Sequence, residues 1–144
     1  MPPSPDSAAR PHNLLHYRSL FDAASDGLIV SALESGCVID ANPAVESMYG
    51  FVYEELIGLD LSALIHPDSH PVFAAYVQAV QSGGAGEALI VHVRRDGSLF
   101  HVEMRGSAVT IENRPCLLSV VRNVSQRVQT ERLLQQWIKT HAYE

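Results

Sequence analysis

Hydrophobic positions along this chain change period several times, and each change marks an element. Positions 1–12 are rich in Pro, Ser and Ala, show no period, and read as a disordered lead-in. Leu14, Leu15, Tyr17, Leu20 and Phe21 then recur at helical spacing behind Asn13, a candidate cap. A flanking helix over 13–24 is predicted, and Asp26-Gly27 ends it. A β-type apolar run follows at 28–33, and a second strand at 37–41, with Ser35-Gly36 between them, which predicts a hairpin.

The next stretch is a series of very short helices, each with its own start and stop. Asn42 can cap the first through its side-chain oxygen, and Pro43 suits a first helical position, where no amide donor is needed. Gly50 and Gly58 sit where a left-handed residue commonly stops a helix. Helical pieces are predicted at 43–49, 53–57 and 61–65. After His66-Pro67-Asp68 a longer helix puts Val72, Phe73, Tyr76, Val77 and Val80 on one stripe, and Gly83-Gly84 closes it. Strands then follow at 87–94, 99–111 and 115–124. Arg95-Asp96-Gly97-Ser98 turns the first pair, Asp-Gly favouring a primed turn, and Glu112 to Pro115 turns the second.

Two strands, several small helices and three antiparallel strands make an α+β fold. Its short helices pack on one face of a five-stranded antiparallel sheet. From Gln126 onward Val128, Leu134, Trp137 or Ile138, and His141 are spaced near a heptad. Leu133, Leu134, Trp137 and Ile138 need cover, so 126–144 is predicted to be a dimer-forming signalling helix; a solvent-frayed terminal helix is the other reading.

Composition narrows the function. Apolar residues are 47% and charged ones 18%, which suits a compact domain. A net charge of -6 disfavours nucleic acid and anionic membrane surfaces, both of which need a basic face. No apolar run approaches the ~20 residues that span a bilayer, so a cytoplasmic location is expected. Cys37 and Cys116 fall in predicted strands without a Cys-x-x-Cys pattern, and read as two buried free thiols in a reducing compartment. Nucleophile elbows, phosphate-binding glycine loops and metal-binding His-Glu-x-x-His are lacking, and the seven His form no ligand pattern. His66 and His70 are interrupted by Pro67 and read as helix caps. No catalysis and no metal site are expected.

Several segments recur together in one family. Ser25 to Val30 (SDGLIV), Ile39 to Ala44 (IDANPA), Glu54 to Gly58 (EELIG), His66-Pro67-Asp68 and Arg94 to Ser98 (RRDGS) stand in order over roughly 17–127. Each is weak alone; in order, at these intervals, they are specific. The chain resembles PAS domains, the sensory modules of signalling proteins. It departs where the family commonly reads Asp-Ile-Thr: here the last strand closes with Asn123-Val124-Ser125, which keeps an acceptor at Asn123 and loses the charge.

The resemblance implies a cavity between sheet and helices, and strand alternation says which side chains face it. Val102 and Met104 point inward, and family register adds Ile90, His92, Ser119, Val121 and Ser31. Phe73, Tyr76 and Val77 form the helical wall, with Met48, Leu56, Ile57, Leu64 and Ile65 around it. His92 is read either as a ligand-orienting group or as a histidine tied to a backbone carbonyl. Leu20, Phe21, Asn123, Val128, Leu134, Trp137 and Ile138 are the candidate dimer and signalling residues.

The implied function is a regulatory module that binds a small molecule and relays the change through its C-terminal helix. Its implied effector is a histidine kinase, a cyclic-dinucleotide enzyme or a DNA-binding output, and its implied assembly a homodimer. The alternative is a ligand-free PAS dimerisation module. Among cofactors, a small organic ligand or none is favoured. The flavin-adduct Cys stretch is missing, and no His or Cys follows Pro71 until His92, so flavin and haem are disfavoured.

Overall fold

The computed structural model describes residues 18–141. The lead-in at 1–12 and the first turns of the flanking helix lie outside the described residues. The described part of that helix, α1, spans 18–23. It is followed by β1 (Gly27–Ala32), β2 (Val38–Ala41), α2 (Pro43–Tyr49) and α3 (Tyr53–Leu56). Two 3₁₀ turns, Leu61–Leu64 and Pro67–Ser69, lead into α4 (His70–Gln81). Then come β3 (Gly86–Val93), β4 (Leu99–Ile111), β5 (Arg114–Asn123) and α5 (Ser125–His141).

The five strands form one antiparallel sheet in the order β2-β1-β5-β4-β3. The first and last strands are therefore neighbours at its centre. Each edge strand is paired in part by a loop, which shortens the open pairing surface. On β2, Val38 exchanges backbone bonds with Gly58 and Leu59. On β3, His66 N donates to Val91 O and Ser69 Oγ accepts from Val91 N.

Asn42 explains how the N-terminal half holds together. It is wholly buried. Its Oδ1 accepts from Leu28 N and Val45 N, and its Nδ2 donates to Phe21 O and Asp26 O. One side chain thus ties α1, β1 and the start of α2. The predicted Asn-Pro cap is present, and it also anchors the flanking helix.

The main core fills the space between the sheet and α2–α4, centred on Tyr49, Leu56, Leu64, Ile90, Phe100 and Met104. A second, smaller cluster lies on the outer sheet face, where Phe21 of α1 packs on Val30 and Cys116. Strand alternation separates the two, with Ile29 facing one layer and Val30 the other.

Four expectations need correction. Val72 and Ile57 are exposed, because α4 and the end of α3 present only part of their apolar residues to the sheet. Cys37 is only partly buried, since the β1–β2 connection stands at the rim; Cys116 is buried and both are free thiols. Phe21 is buried within its own chain instead of lying free for a partner. The Asp96-Gly97 turn is not primed: Gly97 N bonds to Arg94 O and only Gly97 takes a positive φ. The two left-handed residues of a primed turn occur instead at Glu112 and Asn113, between β4 and β5.

Candidate functional site

The space where a cavity was expected is largely occupied by the protein's own side chains. His92 is fully enclosed, with its Nδ1 2.7 Å from Tyr49 Oη and its Nε2 3.2 Å from Met104 Sδ. Burial lowers the His92 pKa to about 3 and raises that of the Tyr49 phenol, so both groups are neutral. The Tyr49 hydroxyl then donates to Nδ1, which leaves Nε2–H to face the Met104 sulfur; the opposite tautomer would set a lone pair against sulfur. His92 is therefore tied to two side chains, and to no backbone carbonyl. Phe100 packs edge-on against both Tyr49 and His92, and Arg94 covers its other side, 4.1 Å from the ring centre.

Tyr76 closes the other half of the interior. Its hydroxyl is 2.8 Å from Ser119 Oγ, and burial raises its pKa to about 12. The ring lies in a notch made by two glycines on β3 and β4: a Cβ on Gly86 would stand 2.8 Å from Tyr76 Cδ2, and one on Gly106 2.7 Å from Tyr76 Cζ. Gly106→Ala is accordingly expected to cost about 1–3 kcal/mol, the usual penalty for overpacking, read from a urea titration. Unchanged stability would show that the ring is not wedged there.

Of the residues predicted to face a ligand, Ile90, His92, Val102, Met104, Tyr76, Ser119 and Val121 are core. Ser31, Phe73 and Val77 line a partly open apolar cleft of about 120 Å³ between α4, the end of β1 and the 3₁₀ turn at Leu61. Ala32, Leu33, Gly36, Asp60, Leu61 and Leu117 complete it, and sequence reasoning missed all six as site residues. Asp60 carried a findable signal, since it caps the Leu61–Leu64 turn through Ser62 N. Gly36 takes a positive φ that brings the β1–β2 turn over the Asp60 carboxylate.

The outgoing helix is fastened to β4. His101 O accepts from Val124 N, Ser125 Oγ accepts from His101 N at 2.8 Å, and Asn123 Oδ1 accepts from Ser125 N. Arg127 pairs with Glu103, which also pairs with Arg105. His101 and Glu103 alternate along β4 with Phe100, Val102 and Met104, which enter the core. Past this clasp α5 has no buried residue: Val128 is half-buried, and Leu134, Trp137 and Ile138 are each more than half exposed. Leu20 on α1 is exposed as well.

No cluster of His, Cys, Asp and Glu suited to a metal occurs among the described residues. No helix among them is long and apolar enough to cross a membrane.

Comparison with known proteins agrees with this architecture. The family model described as the PAS fold matches residues 15–124. The oxygen sensor protein DosP of Escherichia coli is 29% identical over 133 residues, covering 78% of this chain and 17% of its own. An uncharacterised Azorhizobium caulinodans protein is 28% identical over 82% of this chain, so the chain spans about a sixth of the curated relatives it matches, 17% in each. A PAS domain from Colwellia psychrerythraea superposes with a TM-score of 0.71 at 26% identity, covering 79% of this chain and 98% of that one. An RNA-binding light-oxygen-voltage receptor shares the fold, with a TM-score of 0.75 at 23% identity over 97% of this chain and 41% of that one. Sensory modules, not catalytic folds, are what this architecture builds, and cofactor use is open to it. The family match runs from α1 through the end of β5, the same span that carries the core and the cleft, and the chain belongs to the PAS family.

Proposed function

We propose that this chain is a regulatory PAS module that takes a small molecule in the cleft beside α4 and relays the change to an effector through α5. The observation that supports it is continuity along β4. Inward residues of that strand hold the core, and the residues between them hold the first turn of α5. A shift of β4 therefore reaches α5 without an intermediary. The cleft is far smaller than the ~300–1,000 Å³ typical of ligand sites. Its size favours a small organic ligand over a haem or a flavin.

The test combines binding with exchange. A panel of small apolar compounds is expected to raise Tm by mass action and to change hydrogen exchange over 125–132. Ser125→Ala, which removes the acceptor for His101 N, should leave the Tm rise intact and abolish the exchange response. Stabilisation without any exchange response in the native chain would sink the relay.

A second reading is a ligand-free module that dimerises through α5. The filled interior around Tyr49, His92 and Tyr76 favours it, as does the uncovered stripe of Leu134, Trp137 and Ile138. No stabilisation by any compound, together with a dimer that Trp137→Glu dissociates in sedimentation, would select this reading.

A further inference from the structure

We infer that the cleft beside α4 selects a small apolar amine, with one ring or a short branched chain in the cleft and its ammonium on Asp60 at the rim. The inference rests on the reading of the cleft as the input site, and adds the charge and class of what enters it.

The sign of the charge comes from the lining. Among the described residues that line the cleft, Asp60 is the only acidic or basic one. Leu33, Leu61, Phe73, Val77 and Leu117 give it apolar walls. An anionic ligand would meet a like charge with no cation beside it, and a neutral one would gain nothing from the carboxylate. A cation gains from both the carboxylate and the net charge of -6 on the whole chain.

Asp60 is held in place by bonds within the protein. Its Oδ1 caps the Leu61–Leu64 turn, accepting from Ser62 N at 2.9 Å and from Ser62 Oγ at 2.8 Å. Its backbone is pinned to the β1–β2 turn, because Leu61 N donates to Gly36 O and Asp60 bridges to Cys37. Gly36, at positive φ, lies against the carboxylate: a Cβ there would stand 3.5 Å from Oδ1. The second oxygen, Oδ2, takes no part in the cap. A carboxylate fixed in this way loses little rotamer freedom when it pairs with a ligand, which is the usual weakness of exposed ion pairs.

Burial sorts the two halves of such a ligand. Asp60 is exposed, whereas Leu61 and Leu117 are buried. The ammonium therefore keeps its water at the rim, while the hydrocarbon leaves water inside. The enclosed space is about 120 Å³. Apolar cavities near 150 Å³ admit benzene, so one ring or a short branched chain is the size that fits.

The test titrates benzylamine, toluene, benzoate and methylamine into the full chain. Binding is followed by thermal shift and by amide chemical shifts around 61 and 77. Benzylamine is expected to bind about fivefold more tightly than toluene at low salt, the upper range for an exposed ion pair. That ratio should shrink to about twofold in about 0.5 M salt, where charges at contact are screened. Benzoate and methylamine should leave these amides unmoved, the first for its charge and the second because it has no ring. Asp60→Asn keeps a side-chain acceptor for Ser62 N, and should bring benzylamine to the level of toluene without changing toluene. Should that variant misfold, the ratio and its salt dependence in the native chain decide. Equal binding of benzylamine and toluene, a ratio indifferent to salt, tight benzoate binding, or methylamine acting as strongly as benzylamine would overturn the amine assignment while keeping the cleft as a site. Failure of benzylamine and toluene alike would remove the cleft reading itself.

Discussion

Asn42→Ala is expected to destabilise the protein by about 3–4 kcal/mol, close to the whole stability of many domains of this size. The side chain makes four hydrogen bonds in a place without solvent. At ~1 kcal/mol for each bond the loss is about 4 kcal/mol at most, Val45 N keeping its backbone bond to Asn42 O. Helix capping alone would account for only about 1 kcal/mol. The larger figure therefore measures the tie to α1 and β1. Asn42→Asp separates the two roles, because it keeps an acceptor for Leu28 N and Val45 N but turns a carboxylate on two carbonyl oxygens. A loss as large as that of Asn42→Ala is expected from it. Urea midpoints at constant m decide the matter. A cost near 1 kcal/mol for Asn42→Ala, with Asn42→Asp neutral, would reduce Asn42 to an ordinary cap.

What the sequence could reveal followed from distance along the chain. Asn42-Pro43, the short helices and the strand pairs β1–β2, β3–β4 and β4–β5 are encoded within a few residues, so period and punctuation place them. The central pairing of β1 with β5 joins Gly27 to Val121, and nothing local announces it. The interior was legible as a list of inward residues but not as a volume. Alternation puts His92, Met104 and Ser119 on the inner face, yet whether they enclose a hollow depends on what crosses from the helices. Tyr49 and Tyr76 cross, the latter because Gly86 and Gly106 leave it a groove. Asp60 and Gly36 reached the cleft by the same non-local route, through a turn that folds over the end of β1. On the outer face, the packing of Phe21 on Val30 and Cys116 was not legible, because those residues lie on strands distant in sequence.

Acidification from pH 6.5 to 5 is expected to cost roughly 2 kcal/mol of stability through His92 alone. The group has its ordinary pKa of 6.5 when unfolded and about 3 when folded, because burial penalises the charged ring. Within that window the unfolded chain binds a proton that the folded chain refuses, so stability rises with pH and falls on acidification. At 1.36 kcal/mol per pH unit, a drop of 1.5 units below 6.5 gives the stated loss, which continues towards pH 3. Protonation would also reverse the Tyr49 bond, since Nδ1 would become the donor and the phenol hydrogen would lose its acceptor. Other groups titrate in the same range, so the decisive quantity is the slope relative to a variant. His92→Gln keeps an acceptor for Tyr49 and a donor for Met104 but does not titrate. Its stability at pH 7 should fall by about 1–2 kcal/mol for imperfect packing, and its loss between pH 6.5 and 5 should be smaller than the native one by about 2 kcal/mol. Parallel pH profiles for the two proteins would mean that His92 takes up its proton in the folded state, and hence that water or an occupant reaches the ring. That outcome would restore His92 as a ligand-facing group and make the interior, instead of the cleft beside α4, the place where this module senses.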